Sequence, residues 1–148
     1  MMAEQIDFFI KGLIEKTKLR KLEWQPFSVL KDKREIFAEL EYGRGGFDYG
    51  VNSIRESKSY FLQSGDGFVF LFEIYHGDPD VTSPSMDTIG LMVKINSFLP
   101  LDNLSRYGEE EQEMLESLKL LIENYLEEKY CYPDALYNFL DQVLRNEN

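Results

Sequence analysis

Among 148 residues there is one cysteine, Cys131, and one histidine, His76. A single thiol excludes a disulfide within the chain, and two Cys/His residues fall short of the four ligands of a structural zinc site. Nucleophilic catalysis would have to bring His76 to Cys131, and a reactive thiol needs a cation or a helix N-terminus to lower its pKa. Cys131, flanked by Tyr130 and Tyr132, reads instead as a small packing residue. Long apolar runs are equally scarce. The longest, Phe68 to Phe72, has five residues, far short of the roughly 18 that a membrane span requires. No basic region followed by an apolar segment opens the chain, so a secretory signal is not expected, and the lone thiol fits a reducing, cytoplasmic setting.

Basic residues are few and unevenly placed. The formal net charge is -11. Residues 1 to 58 hold eleven Lys/Arg against ten Asp/Glu, whereas residues 59 to 148 hold five against seventeen, so the second part carries a net -12. Within the first part, Lys16, Lys18, Arg20, Lys21, Lys31, Lys33 and Arg34 face only Glu23 and Asp32. A chain of this overall sign is repelled by phosphate backbones and anionic membranes, unless the basic segment 16 to 34 acts locally.

The apolar residues are patterned. Ile6, Phe9, Ile10, Leu13 and Ile14 share one stripe of a helix over about 4 to 18. Leu19 to Arg34 contains Pro26, which has no amide hydrogen to donate, so a connection anchored by Trp24 is expected there. Residues 35 to 42 alternate Ile36, Ala38, Leu40 and Tyr42 with Glu35, Glu39 and Glu41, Phe37 being the exception, as in a half-buried strand, although Ile36, Phe37 and Leu40 also satisfy a helical stripe. Tyr60 to Leu62 and Phe68 to Phe72 flank Ser64-Gly65-Asp66-Gly67 and predict a hairpin. The second strand is apolar on both faces, as in a covered strand, while 89 to 96 alternates as in a strand with one buried face. Between them, Gly77, Pro79 and Pro84 predict a loop over 76 to 86.

The last third is helical. Glu109, Glu110 and Glu111 suit the positive end of a helix whose Met114, Leu115, Leu118, Leu121, Ile122, Tyr125, Leu126 and Tyr130 recur near every 3.6 residues. Pro133 opens a final helix with Leu136, Phe139, Leu140, Val143 and Leu144 on one stripe. The expectation is a single α+β domain over 1 to 148: an N-terminal helix, an antiparallel meander of three to four strands, and two C-terminal helices packed on one face of the sheet.

Candidate sites are correspondingly thin. Glu73, His76, Asp78, Asp80 and Asp87 crowd one strand end and loop, where a metal or small ligand would find several oxygens, but the spacing is not that of an EF-hand. Turn formation around Pro79 explains the same residues, and no cofactor or metal is expected. Gly43-Arg44-Gly45-Gly46 matches neither a dinucleotide fingerprint nor a P-loop and reads as a turn. Basic residues around Trp24 would suit nucleic acid if the indole were free to stack, whereas a buried Trp24 leaves a solvated connection. Glu109, Glu110, Glu113, Glu116, Glu123 and Glu127 form a candidate acidic face for a basic protein partner, and contact with segment 16 to 34 of the same chain would neutralise part of it.

Phe9-Ile10-Lys11-Gly12-Leu13-Ile14-Glu15-Lys16-Thr17-Lys18, with Lys21-Leu22-Glu23-Trp24 after it, resembles the opening of small uncharacterised proteins of Gram-positive bacteria and their mobile elements. The strand pair at 60 to 72 and the closing Phe139-Leu140-Asp141-Gln142-Val143-Leu144 are similar in style, while 43 to 50 stands outside the pattern. The resemblance implies a small accessory protein and assigns no activity. Lacking a catalytic signature, the chain is expected to be a non-enzymatic, immunity-like or counter-defence factor. The alternatives are a small enzyme or ligand binder at 76 to 87 and a nucleic-acid binder at 16 to 34.

Overall fold

The computed structural model describes residues 2 to 42, 54 to 75, 87 to 130 and 132 to 145. The elements run α1 (Ala3–Lys18), β1 (Gln25–Pro26), α2 (Lys33–Tyr42), β2 (Tyr60–Ser64), β3 (Gly67–Ile74), β4 (Thr88–Lys94), β5 (Asp102–Asn103), α3 (Glu109–Tyr130) and α4 (Tyr132–Arg145), with short 3-10 turns at Phe27–Val29 and Glu56–Lys58. The strands form one antiparallel sheet in sequence order. This is the expected α+β class with one N-terminal and two C-terminal helices. The sheet has five strands because two-residue strands add an edge on each side. Pro26 sits in such an edge strand, where its missing N–H costs least.

The hairpin forms where Ser64 pairs with Gly67 across Gly65-Asp66. Gly65 takes a φ of 60°, as the first central residue of a two-residue hairpin turn demands, and glycine does so without a Cβ clash. A Cβ on Gly67 would lie 2.6 Å from the Ile95 carbonyl oxygen, so that position is closed to larger residues.

Both faces of the sheet are covered, which differs from the expected one-sided packing. Tyr60, Leu62, Leu71, Ile89 and Leu91 meet Ile6, Ile10 and Leu13 of α1 and Leu115, Leu118, Ile122 and Leu126 of α3. On the other face Phe61, Phe70, Phe72, Ile74 and Met92 meet Phe27 and Leu30, together with Ile36 and Leu40 of α2. Phe27 is the hub there, with its ring edge-on to Phe37, Phe70 and Phe72 at centroid distances of 5.6, 6.0 and 5.1 Å. Residues 33 to 42 are thus a helix and not the strand that their alternation suggested. The helical spacing of Ile36 and Leu40 seals a face of phenylalanine rings, and burial overrides a local pattern that fitted both structures. For the same reason β4 is buried on both faces, with Met92 fully enclosed.

α1 ends in a Schellman motif: Lys21 N–H donates to the Lys16 carbonyl and Arg20 N–H to that of Thr17, with Arg20 at a φ of 57°. The turn brings Trp24 under α1. Its indole N–H donates to Thr17 Oγ1 at 3.0 Å, and that hydroxyl donates to the Leu13 carbonyl at 2.6 Å. A buried hydroxyl in an apolar stripe is satisfied in this way on both sides.

α4 differs from the other helices. Leu136, Tyr137, Phe139, Leu140, Val143 and Leu144 are all exposed. The sheet faces that this stripe was expected to cover are already occupied, one by α1 and α3 and the other by α2 and Phe27, so α4 adds no side chain of its described stripe to the core.

Candidate functional site

Two charged regions lie on the described residues, one enclosed at a sheet end and one spread along α3. The enclosed region centres on Glu73, next to the last residue of β3 and 8% exposed. β3 alternates faces, so Glu73 points to the side covered by α3, where Lys119 donates to its Oε1 at 2.6 Å. Its Oε2 is buried without a hydrogen bond, and Arg55 Nε and Lys58 Nζ stand 3.7 and 3.9 Å away. The backbone closes the same knot: Arg55 N–H donates to the Glu73 carbonyl, Glu73 N–H to Ser59 Oγ, and Ser59 Oγ to the Arg55 carbonyl.

Arg55 also reaches across to Asp87, donating from Nε to Oδ2 at 2.6 Å, and its guanidinium lies 4.8 Å from the centre of the Tyr75 ring. The hydrogen bond to Asp87 raises the Arg55 pKa above the ordinary arginine value, the nearby charge of Glu73 adding to it, so this cation is permanent. One turn along α3 from Lys119, Glu123 accepts the Tyr60 hydroxyl at 2.8 Å. Burial, and then that hydrogen bond to an anion, hold the Tyr60 pKa well above the usual tyrosine value.

Of the proposed ligand loop, the described residues thus include Glu73 and Asp87, and Arg55 joins them. His76, Asp78 and Asp80 lie outside the described residues, as do the glycine-rich stretch 43 to 50 and Cys131. Among the described residues no group of three His, Cys, Asp or Glu is placed to hold a metal ion. A guanidinium fills the space between the two carboxylates, and three cations surround Glu73, so the arrangement is that of a self-neutralised clamp. Sequence reasoning missed Arg55, Lys58, Ser59 and Lys119 as its members. Their one visible signal was Lys119, a base within a run of glutamates.

The exposed region follows α3. Glu109, Glu113, Glu116 and Glu127 fall at i, i+4, i+7 and i+18, which places them within a narrow arc opposite the buried Leu115, Leu118 and Ile122. All four are exposed, Glu110 flanks them and is exposed too, and Glu123 lies at the margin, half-buried by its bond to Tyr60. Glu111, outside the proposed face, turns inward and accepts the Arg106 backbone N–H through both carboxylate oxygens at 3.0 and 3.1 Å.

No family model matches the chain, and neither a curated protein nor a solved structure shows significant similarity to it. No relative lends any residue a role. Function is therefore read from these surfaces.

The basic segment 16 to 34 is partly tied down. Arg20 forms an ion pair with Glu128 at the C-terminal ends of α1 and α3, and Lys33 bridges Glu56 at 2.8 Å and the Ser28 carbonyl at 3.0 Å. A groove between the two helices is lined by Asp7, Lys11 and Lys18 of α1 and by Glu110 and Glu113 of α3. Trp24 is fully buried with its indole N–H engaged, so it presents no face on which a base could stack. Among the described residues no helix is long and apolar enough to cross a membrane.

Proposed function

We propose that this chain is a non-enzymatic accessory protein, of the immunity or counter-defence kind, that binds a basic protein partner through the outward face of α3. The observation that carries this reading is the alignment of Glu109, Glu113, Glu116 and Glu127 on the solvent side of a helix whose other side is locked into the core. Such a helix presents its charges on a rigid support at no cost in ordering. The carboxylates on this ridge add little to folding because exposed charges are screened by water and salt. They do create a field that speeds encounter with an opposite charge.

Glu73 and Asp87 support folding in this reading, because their charges are met within the chain. The test is a kinetic one on a partner captured from host extract at low salt. Replacing Glu109, Glu113, Glu116 and Glu127 together by glutamine should slow association about 10-fold or more and flatten its salt dependence, with the melting temperature nearly unchanged. An association rate equal to that of the wild type would rule out this face.

A further inference from the structure

α4 carries six of the exposed large hydrophobic residues between residues 136 and 144. From Leu136, the side chains of Phe139, Leu140, Val143 and Leu144 fall at i+3, i+4, i+7 and i+8, and Tyr137 borders them; their exposures run from 42% to 78%. Isolated exposed leucines are ordinary, but a continuous stripe on one helix marks a surface that another surface covers.

The fold says what does not cover it. Among the described residues each face of the sheet already has its helices, which leaves no free sheet face on which α4 could fold back. A groove of about 420 Å³ lined by Phe9, Val69, Val93 and Leu104 remains at one sheet end, enough for a few side chains and not for a stripe about 12 Å long. A bilayer surface is a poor match as well. Helices that lie in membrane interfaces carry many Lys and Arg on their polar face, whereas residues 136 to 145 contain only Arg145. Arg145 is moreover paired with Asp141 at 3.1 Å, and the net charge of -11 opposes approach to anionic lipid.

We propose that α4 is a self-association element, its stripe packing against the same stripe of a second copy about a two-fold axis. Two quantities support a second copy. The six exposed side chains amount to on the order of 700 Å² per chain, or about 1,400 Å² in a pair, within the range of stable protein interfaces. Residues 136 to 145, which bear the stripe, also carry no net charge, because Asp141 and Arg145 cancel and Asp134 lies before the stripe. Two copies of a chain of net charge -11 repel across α3 and can approach where the charge is zero. The i, i+4 spacing of Leu136, Leu140 and Leu144 forms a ridge of the kind that packs into the groove of another helix, and an isologous contact closes after two copies without forming a filament. The dimer would carry two α3 ridges, although its formation depends on neither ridge.

The full chain should sediment as a dimer with a dissociation constant on the order of 1 µM at physiological salt. Leu140→Glu should raise that constant at least about 100-fold, and circular dichroism should show the fold intact because Leu140 is outside the core. With Cys131→Ser as background, Leu140→Cys should give an interchain disulfide under mild oxidation, since a residue midway along the stripe lies near the two-fold axis. Val93→Glu, in the groove, should leave dimerisation unchanged. A monomer at about 100 µM would overturn the proposal. So would a dimer unaffected by Leu140→Glu, a dimer broken by Val93→Glu, or a monomer whose α4 gains helicity on phosphatidylcholine vesicles.

Discussion

α3 and α4 adjoin in sequence, and each carries an apolar stripe of the same helical period, yet the stripes have opposite fates. Leu115, Leu118 and Ile122 of α3 are fully buried against the sheet and α1, while Leu136 to Leu144 of α4 face outward. What separates them is the room left on the sheet. Once α1 and α3 lie on one face and α2 on the other, a fourth helix finds no open sheet face among the described residues. Periodicity therefore tells that a helix has an apolar side and not which surface will meet it. The charges differ too: α3 is acidic on the side that water sees, whereas residues 136 to 145 of α4 carry no net charge.

The largest test of that contrast is a pair of truncations. Leu118→Ala in α3 removes fully enclosed carbons and should cost about 3 kcal/mol by urea unfolding; a cost under about 1 kcal/mol would mean that α3 is not seated on the sheet. Lys119→Met should follow closely. It leaves the buried Glu73 with only the two more distant cations, and a loss of roughly 2 to 3 kcal/mol is expected. Replacing Glu73 and Lys119 together by leucine and methionine should recover most of that loss, because two apolar groups of similar volume need no partner charge. If the double variant is worse than the single, the pair has a role besides folding.

Tyr60→Phe is the next in size. It removes the hydroxyl that Glu123 accepts, which should cost about 1 kcal/mol at neutral pH. Its pH signature is sharper. The folded-state pKa of Tyr60 is raised above the ordinary value of 10.0, so the protonated tyrosine supports folding fully below about pH 10. Above that pH the unfolded chain releases the proton more readily, and stability falls as pH rises toward the folded-state value. The wild type should lose stability above about pH 10 more steeply than Tyr60→Phe. Parallel alkaline slopes would place the phenol in water.

Much of this molecule is legible in its sequence, and the rest depends on pairings that local patterns do not encode. α1, the hairpin across Gly65-Asp66 and the two C-terminal helices follow from spacing and turn chemistry, because period and glycine placement act within a few residues. Ile36 and Leu40 satisfy two periods at once, and only the phenylalanine face of β3, about thirty residues away, decides between them. The clamp at Glu73 is further from reach. Its partners at 55, 58, 59 and 119 come from two stretches of chain far from each other, and nothing in their spacing announces it. Among the acids proposed as a partner face, Glu123 turned out half-engaged, since Tyr60 approaches from a strand 63 residues earlier.

The smallest predicted effect is the most telling for the contrast between the two helices. Leu140→Ala in α4 is chemically the same truncation as Leu118→Ala in α3, and alanine is the better helix former. Diluted well below the dissociation constant of any pair, Leu140→Ala should shift stability by no more than about 0.5 kcal/mol, since no packed neighbour is lost. At high concentration the same variant should melt earlier than the wild type by an amount that grows with protein concentration, because a contact between copies stabilises by mass action. A concentration-independent loss as large as that of Leu118→Ala would mean that α4 belongs to the core of its own chain. The outward stripe would then be covered in solution by the fold itself and not by a second molecule.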